Sequence, residues 1–238
     1  MNEEYTLVEF LYRPNNSKVK ESIFNYKLFY DLKIASAKSG RILQVFVPEV
    51  DMDGTDVVFQ LESYSRSIQL KTSKNAPAKS WKIHPHLILP KYDRIGSVLS
   101  ATLFGEPATD TTGLGGGFIL INPVFEENDV SKVNYFYTDI GLIYLFSKGI
   151  ISKKRFRACQ KHAKETLSNA YKNSRNDKMK IYMSNMIPLR SKESLLEITL
   201  LKSLTSIIVN NLDNETTLVE ELKEELLPHS DQIQIIVN

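Results

Sequence analysis

Asp56, Gln69 and Lys71 are the residues through which this sequence most readily offers chemistry. Gln69 and Lys71 stand two apart in the short run Ser67-Ile68-Gln69-Leu70-Lys71, and side chains two apart on a strand leave the same face. The run before it, Asp56-Val57-Val58-Phe59-Gln60-Leu61, is joined to it by the polar Glu62-Ser63-Tyr64-Ser65-Arg66, a pattern that predicts an antiparallel hairpin. With the turn centred near Tyr64, Asp56 at the start of one strand comes beside the end of the other, near Lys71. A carboxylate is a hard oxygen ligand for a divalent cation, and an amide oxygen beside it adds a second. An ammonium group orients an attacking water or helps to deprotonate it. Phosphodiester hydrolysis uses these parts, because the cation stabilises the charge that develops on the phosphate.

The elements that must position this trio can be traced along the chain. After the turn-forming Pro14-Asn15-Asn16-Ser17, the residues Ile23, Tyr26, Tyr30, Ile34 and Ala37 recur at helical spacing as far as Gly40. The apolar run from Ile42 to Val47 predicts a strand that ends at Pro48, and a loop from Glu49 to Gly54 then leads into the hairpin. Trp81-Lys82-Ile83 and Leu87-Ile88-Leu89 read as edge segments around two prolines. A glycine-rich loop from Thr111 to Gly117 enters the apolar Phe118 to Ile121, and Val133 to Tyr137 alternates like another strand. Helices are predicted over Ile140 to Phe146, Lys153 to Tyr171, Leu195 to Val209 and Leu218 to Leu227, the last opened by a Thr217 and Glu220 capping box. Gln232 to Ile235 alternates like a short terminal strand. The expected fold is α/β, a mixed central sheet flanked by helices. Residues 1–150 would hold the hairpin and a sheet extension, and residues 151–238 a mainly helical region, basic then acidic, packed on it.

From the helix that ends at Gly40, through the acidic loop Asp53-Gly54-Thr55-Asp56, to Ser67-Ile68-Gln69-Leu70-Lys71-Thr72-Ser73, the first third of the chain resembles the core of the PD-(D/E)XK, restriction-endonuclease-like nucleases. The resemblance implies that Asp56 and residue 69 hold Mg²⁺ or Mn²⁺, that the Leu70 carbonyl ligates it too, and that Lys71 is catalytic. Gln69 stands where Asp or Glu is usual, a variant that resembles the Mrr-like branch. A neutral amide binds a hard cation less strongly than a carboxylate, so Glu21 on the first long helix is expected to add an oxygen. The activity implied is that of a metal-dependent DNA endonuclease, with a place in genome defence. Two other readings stand beside it. One is an inactive nucleic-acid-binding module, working as a homodimer or as a subunit of a larger assembly. The other is an interaction protein that uses the Leu195 to Val209 helix and the acidic tail.

Composition narrows the setting. The 238 residues, 42% hydrophobic and 24% charged, are ordinary for a globular chain. The lone Cys159 has no disulfide partner within the chain, and Met1-Asn2-Glu3-Glu4 lacks a secretory leader, so a reducing, cytoplasmic setting is expected. Ile140 to Phe146 falls far short of the about 20 apolar residues that cross a bilayer, and no membrane partner is expected. No Gly-Lys-Ser/Thr follows Gly113, Gly115, Gly116 and Gly117, which argues against a Walker-type phosphate loop. His84 and His86 have no third zinc ligand nearby and read as structural.

The net charge of +2 conceals an uneven distribution. Lys153, Lys154, Arg155, Arg157, Lys161 and Lys164 form a basic segment suited to phosphates, and DNA is the expected partner. Neutralising Lys153, Lys154, Arg155 and Arg157 is expected to weaken DNA binding and flatten its salt dependence. Binding isotherms over a NaCl titration check this, and curves that superimpose on the wild type would refute the role.

Overall fold

The computed structural model describes residues 5–50, 54–62, 64–73, 79–84, 116–139, 142–143, 146–147, 157–172, 179–189, 191–193 and 195–196. Helix α1 (Leu7–Tyr12) opens on a capping box in which Thr6 and Glu9 satisfy each other's backbone N–H groups. A 3-10 turn at Pro14–Asn16 leads into α2 (Ser17–Lys38), and Gly40 just beyond it adopts φ +70°, the left-handed conformation that commonly ends helices.

The long helix is where the sequence places it, but its inner face is a different one. Phe24, Leu28, Leu32 and Ala35 are buried in the core, whereas Ile23, Tyr26 and Tyr30 are 45%, 69% and 59% exposed. α2 carries apolar side chains around most of its circumference, so several stripes share helical spacing and packing selects one of them.

The strands are β1 (Leu43–Phe46), β2 (Val57–Leu61), β3 (Tyr64–Thr72), β4 (Ser80–Ile83), β5 (Gly116–Glu126), β6 (Asp129–Thr138), β7 (Met179–Tyr182) and β8 (Ile187–Leu189). Six of them form one mixed sheet in the order β1-β2-β3-β5-β6-β8. β1, β2 and β3 form an antiparallel meander, β5 lies parallel to β3, and β6 and β8 return antiparallel. β4 and β7 pair separately, and α3 (Arg157–Lys172) packs against β7. The architecture is a mixed α/β fold with a mixed central sheet flanked by helices. β7 and β8 fall in the stretch expected to be mainly helical. Strands of four and three residues are too short to leave a periodic signal, and Pro188 in β8 suits the sheet edge it occupies. Leu87–Leu89, Leu218–Leu227, Gln232–Ile235 and most of 195–209 lie outside the described residues.

The pairing register assigns the two sheet faces. Phe59, Leu70, Ile119, Ile121 and Tyr135 share the face covered by α2, where Phe29 meets the Phe59 ring edge-on at 5.9 Å. Gln69, Lys71, Phe118 and Leu120 share the other face. Buried polar ties cross the first layer. Asp31 on α2 accepts from the Tyr135 hydroxyl at 2.8 Å and pairs with Lys27 at 2.6 Å and Lys192 at 2.7 Å. Deeper in, Arg66 reaches Asp139 at 3.1 Å, Tyr137 donates to the same carboxylate at 2.8 Å, and the second Asp139 oxygen accepts the Leu142 N–H. Burial opposes the Arg66 cation, yet Tyr137 and Asp139 outweigh it and hold its pKa above the ordinary value. Burial also pushes the Tyr137 phenol well up, with Arg66 opposing and Asp139 adding to the rise.

Two outcomes follow from this packing. A Cβ on Gly117 would meet Tyr137 Cε2 at 2.8 Å and Ile68 Cδ1 at 2.9 Å, so Gly117→Ala is expected to cost about 1–3 kcal/mol in a urea titration. An unchanged midpoint would show that the layer yields. For Asp31, burial raises the carboxyl pKa, but hydrogen bonds from Lys192, Lys27 and Tyr135 prevail and lower it. Its stabilisation is therefore complete above the ordinary value of about 3.9 and is lost as pH falls through the lowered folded value. Asp31→Asn is expected to be less stable than wild type at neutral pH, with the gap closing in acid. A gap that stays constant across the acid limb would contradict this assignment.

Candidate active site

Strand pairing decides where the functional groups stand. Val57 lies opposite Ile68 and Leu61 opposite Tyr64, so the chain reverses between Leu61 and Tyr64, helped by Glu62 at φ +56°, and not around Tyr64. At Asp56 the register shifts by one, because its N–H bonds to the same Ile68 that Val57 faces, and the Asp56 backbone stands well short of Lys71. The tighter turn thus displaces Asp56 from the position expected near Lys71. Its backbone N–H donates to the Ile68 carbonyl at 3.0 Å. The carboxylate nevertheless reaches further along β3, where Oδ2 accepts the Leu70 N–H at 2.6 Å. A strand residue sends its N–H and C=O toward the same neighbour, so the Leu70 carbonyl also faces the side where β2 has ended and Asp56 stands.

These groups open on a cleft of about 320 Å³. Glu21 and Asn25 line it from α2, Glu49 from the loop after β1, Thr55 and Asp56 from the approach to β2, and Leu70 and Lys71 from the end of β3. Asp56, Leu70, Lys71 and Glu21, drawn from three separate elements, are brought together. Lys71 is half-buried and makes no ion pair or hydrogen bond with any described residue, which leaves its ammonium to a ligand. Three carboxylates face one ammonium in this space, a balance that favours a cation and resists a bare phosphate unless a cation accompanies it.

Gln69 is placed otherwise. It shares a strand face with Lys71, but it does not line the cleft. It is 6% exposed, and its Oε1 accepts the His84 backbone N–H at 2.9 Å. Glu49, which does line the cleft, went unmarked in the sequence, since an acidic residue in a loop carries no periodic or motif signal. Of the basic segment, Arg157 lies in the first turn of α3, and Lys161 and Lys164 are exposed on that helix. Lys153, Lys154 and Arg155, with Asp51, Asp53 and His86, lie outside the described residues.

The donor set suits a hard divalent ion, being carboxylate and carbonyl oxygen with no sulfur. Among the described residues no three His, Cys, Asp or Glu side chains cluster tightly enough to hold an ion between them. Water and substrate oxygens would have to complete its shell, which is how Mg²⁺ is usually bound. No helix among the described residues is long and apolar enough to cross a membrane. No protein-family model, curated protein or solved structure matches this chain.

Proposed function

We propose that the chain is a metal-dependent phosphodiesterase that cuts DNA in the cleft between α2 and the ends of β2 and β3. The observation that carries this reading is the convergence of Asp56, Glu21, the Leu70 backbone and Lys71 on one space. Asp56, the Leu70 carbonyl and Glu21 would hold Mg²⁺ or Mn²⁺, with water and substrate oxygens completing the shell. The ion, when bound, supplies charge neutralisation at the scissile phosphate. Lys71 would orient the attacking water and, through its positive charge, favour loss of the water's proton to solvent, a role that its freedom from ion pairs leaves open. The exposed Lys161 and Lys164 of α3, with Arg157 and the preceding Lys153, Lys154 and Arg155, would hold the phosphate backbone without reading bases. Genome defence is the setting that the resemblance to restriction-type nucleases supports.

A second reading has an observation of its own. Gln69 supplies no oxygen to the cleft, and no tight three-ligand cluster exists among the described residues. A module that binds nucleic acid without cutting it would show both features.

Plasmid DNA incubated with the purified protein and Mg²⁺ or Mn²⁺ separates the two. Metal-dependent cleavage is expected, reduced about 100-fold or more in Asp56→Ala and in Lys71→Ala. Retarded DNA without cleavage in any metal would favour the binding module instead.

A further inference from the structure

The residue that the nuclease resemblance would make a metal ligand is tied to something else. Gln69 is buried, its oxygen holds the His84 N–H at the end of β4, and it is absent from the cleft wall. Pressed against the same pair is Gly54, buried and at φ +76°. A Cβ at residue 54 would stand 2.2 Å from His84 Cβ and 3.2 Å from Gln69 Nε2. Nothing larger than glycine fits beneath the end of β4 while Gln69 holds it there. Gly54 is two residues ahead of Asp56, and the stretch between them has no slack, because the Asp56 N–H is already bonded to Ile68.

We infer that Gln69 is a positioning residue, clamping His84 over the Gly54 turn and so setting where the Asp56 carboxylate meets the Leu70 amide and the cleft. An amide suits this task better than a carboxylate would. Residue 69 is buried, and a carboxylate there would carry a charge into the interior with no cationic partner beside it among the described residues. A neutral amide holds the His84 N–H without that cost. The inference rests on the phosphodiesterase reading only for the consequence it gives to the position of Asp56; the clamp itself does not depend on that reading.

The test uses the full chain with two readouts: amide hydrogen exchange at Leu70, whose N–H is held by Asp56, and calorimetric binding of MnCl₂. Gln69→Met keeps the volume and removes the acceptor. His84→Pro removes the donor without touching Gln69, and decides the matter if the first variant does not fold. Gln69→Glu keeps an acceptor for His84. Exchange at Leu70 is expected to rise about tenfold or more in Gln69→Met and His84→Pro, while the amides of Ile119 and Leu120 in the neighbouring β5 stay protected. Mn²⁺ affinity is expected to fall by about tenfold or more in the same two variants, as when a support for a metal ligand is lost. Gln69→Glu should keep Leu70 protected and bind Mn²⁺ no more tightly than wild type. Unchanged exchange at Leu70 in the first two variants, or loss of protection spread through β5, would overturn the clamp. Much tighter Mn²⁺ binding by Gln69→Glu would make residue 69 a ligand position and overturn it as well. Wild-type protein that binds no Mn²⁺ would defeat the phosphodiesterase reading, with Leu70 exchange still deciding the clamp.

Discussion

The hydrogen bond from the Leu70 N–H to the Asp56 carboxylate is the contact on which the site depends. β2 stops at Val57 while β3 runs on to Thr72, so beyond Ile68 the backbone of β3 has no strand beside it on that edge. A free N–H there would be costly to bury unpaired. Asp56 satisfies it with a side chain, and in doing so the carboxylate is held at the lip of the cleft. The unequal lengths of two neighbouring strands thus create both the gap and the reason for an acidic residue to fill it.

The layer beneath has to be rigid for that arrangement to persist. α2 supplies Glu21 to the cleft from its N-terminal half, and the helix is anchored further along by Phe24, Leu28 and Leu32 in the core and by Asp31 on the Tyr135 hydroxyl. Apolar packing alone would let a helix slide along a sheet, since it has little directional preference. A buried carboxylate gripped by a tyrosine and two lysines fixes the axial position, and Glu21 inherits it ten residues earlier. Arg66 and Asp139 act in the same way between β3 and the segment after β6, where one partner without the other would leave an uncompensated charge in the interior.

The outer face of α2 stays apolar. Val19, Ile23, Tyr26 and Tyr30 form a stripe on the solvent side, and Ile42, Phe46 and Val47 are exposed on and beside β1, an edge strand of the sheet. Exposed apolar groups at this density, gathered in the N-terminal part of the described chain, set it apart from α3, whose exposed described side chains are Lys161, Lys164 and Ser168.

By itself the sequence determined the local elements and the residue types in them. Glycine at 40 stops a helix because left-handed backbone favours it, and two short apolar runs either side of a polar turn make the strands of a hairpin, because both effects act within a few residues. It also brought out Asp56, Leu70 and Lys71 as neighbours, since a hairpin joins residues close in the chain. The partner of Gln69, the place of Glu49, the buried face of α2 and the strands β7 and β8 were decided only by tertiary structure. Each depends on contacts between segments distant in sequence or on the choice among equivalent apolar stripes. Such choices are settled by which surfaces meet when the layers close, and no local pattern encodes that meeting.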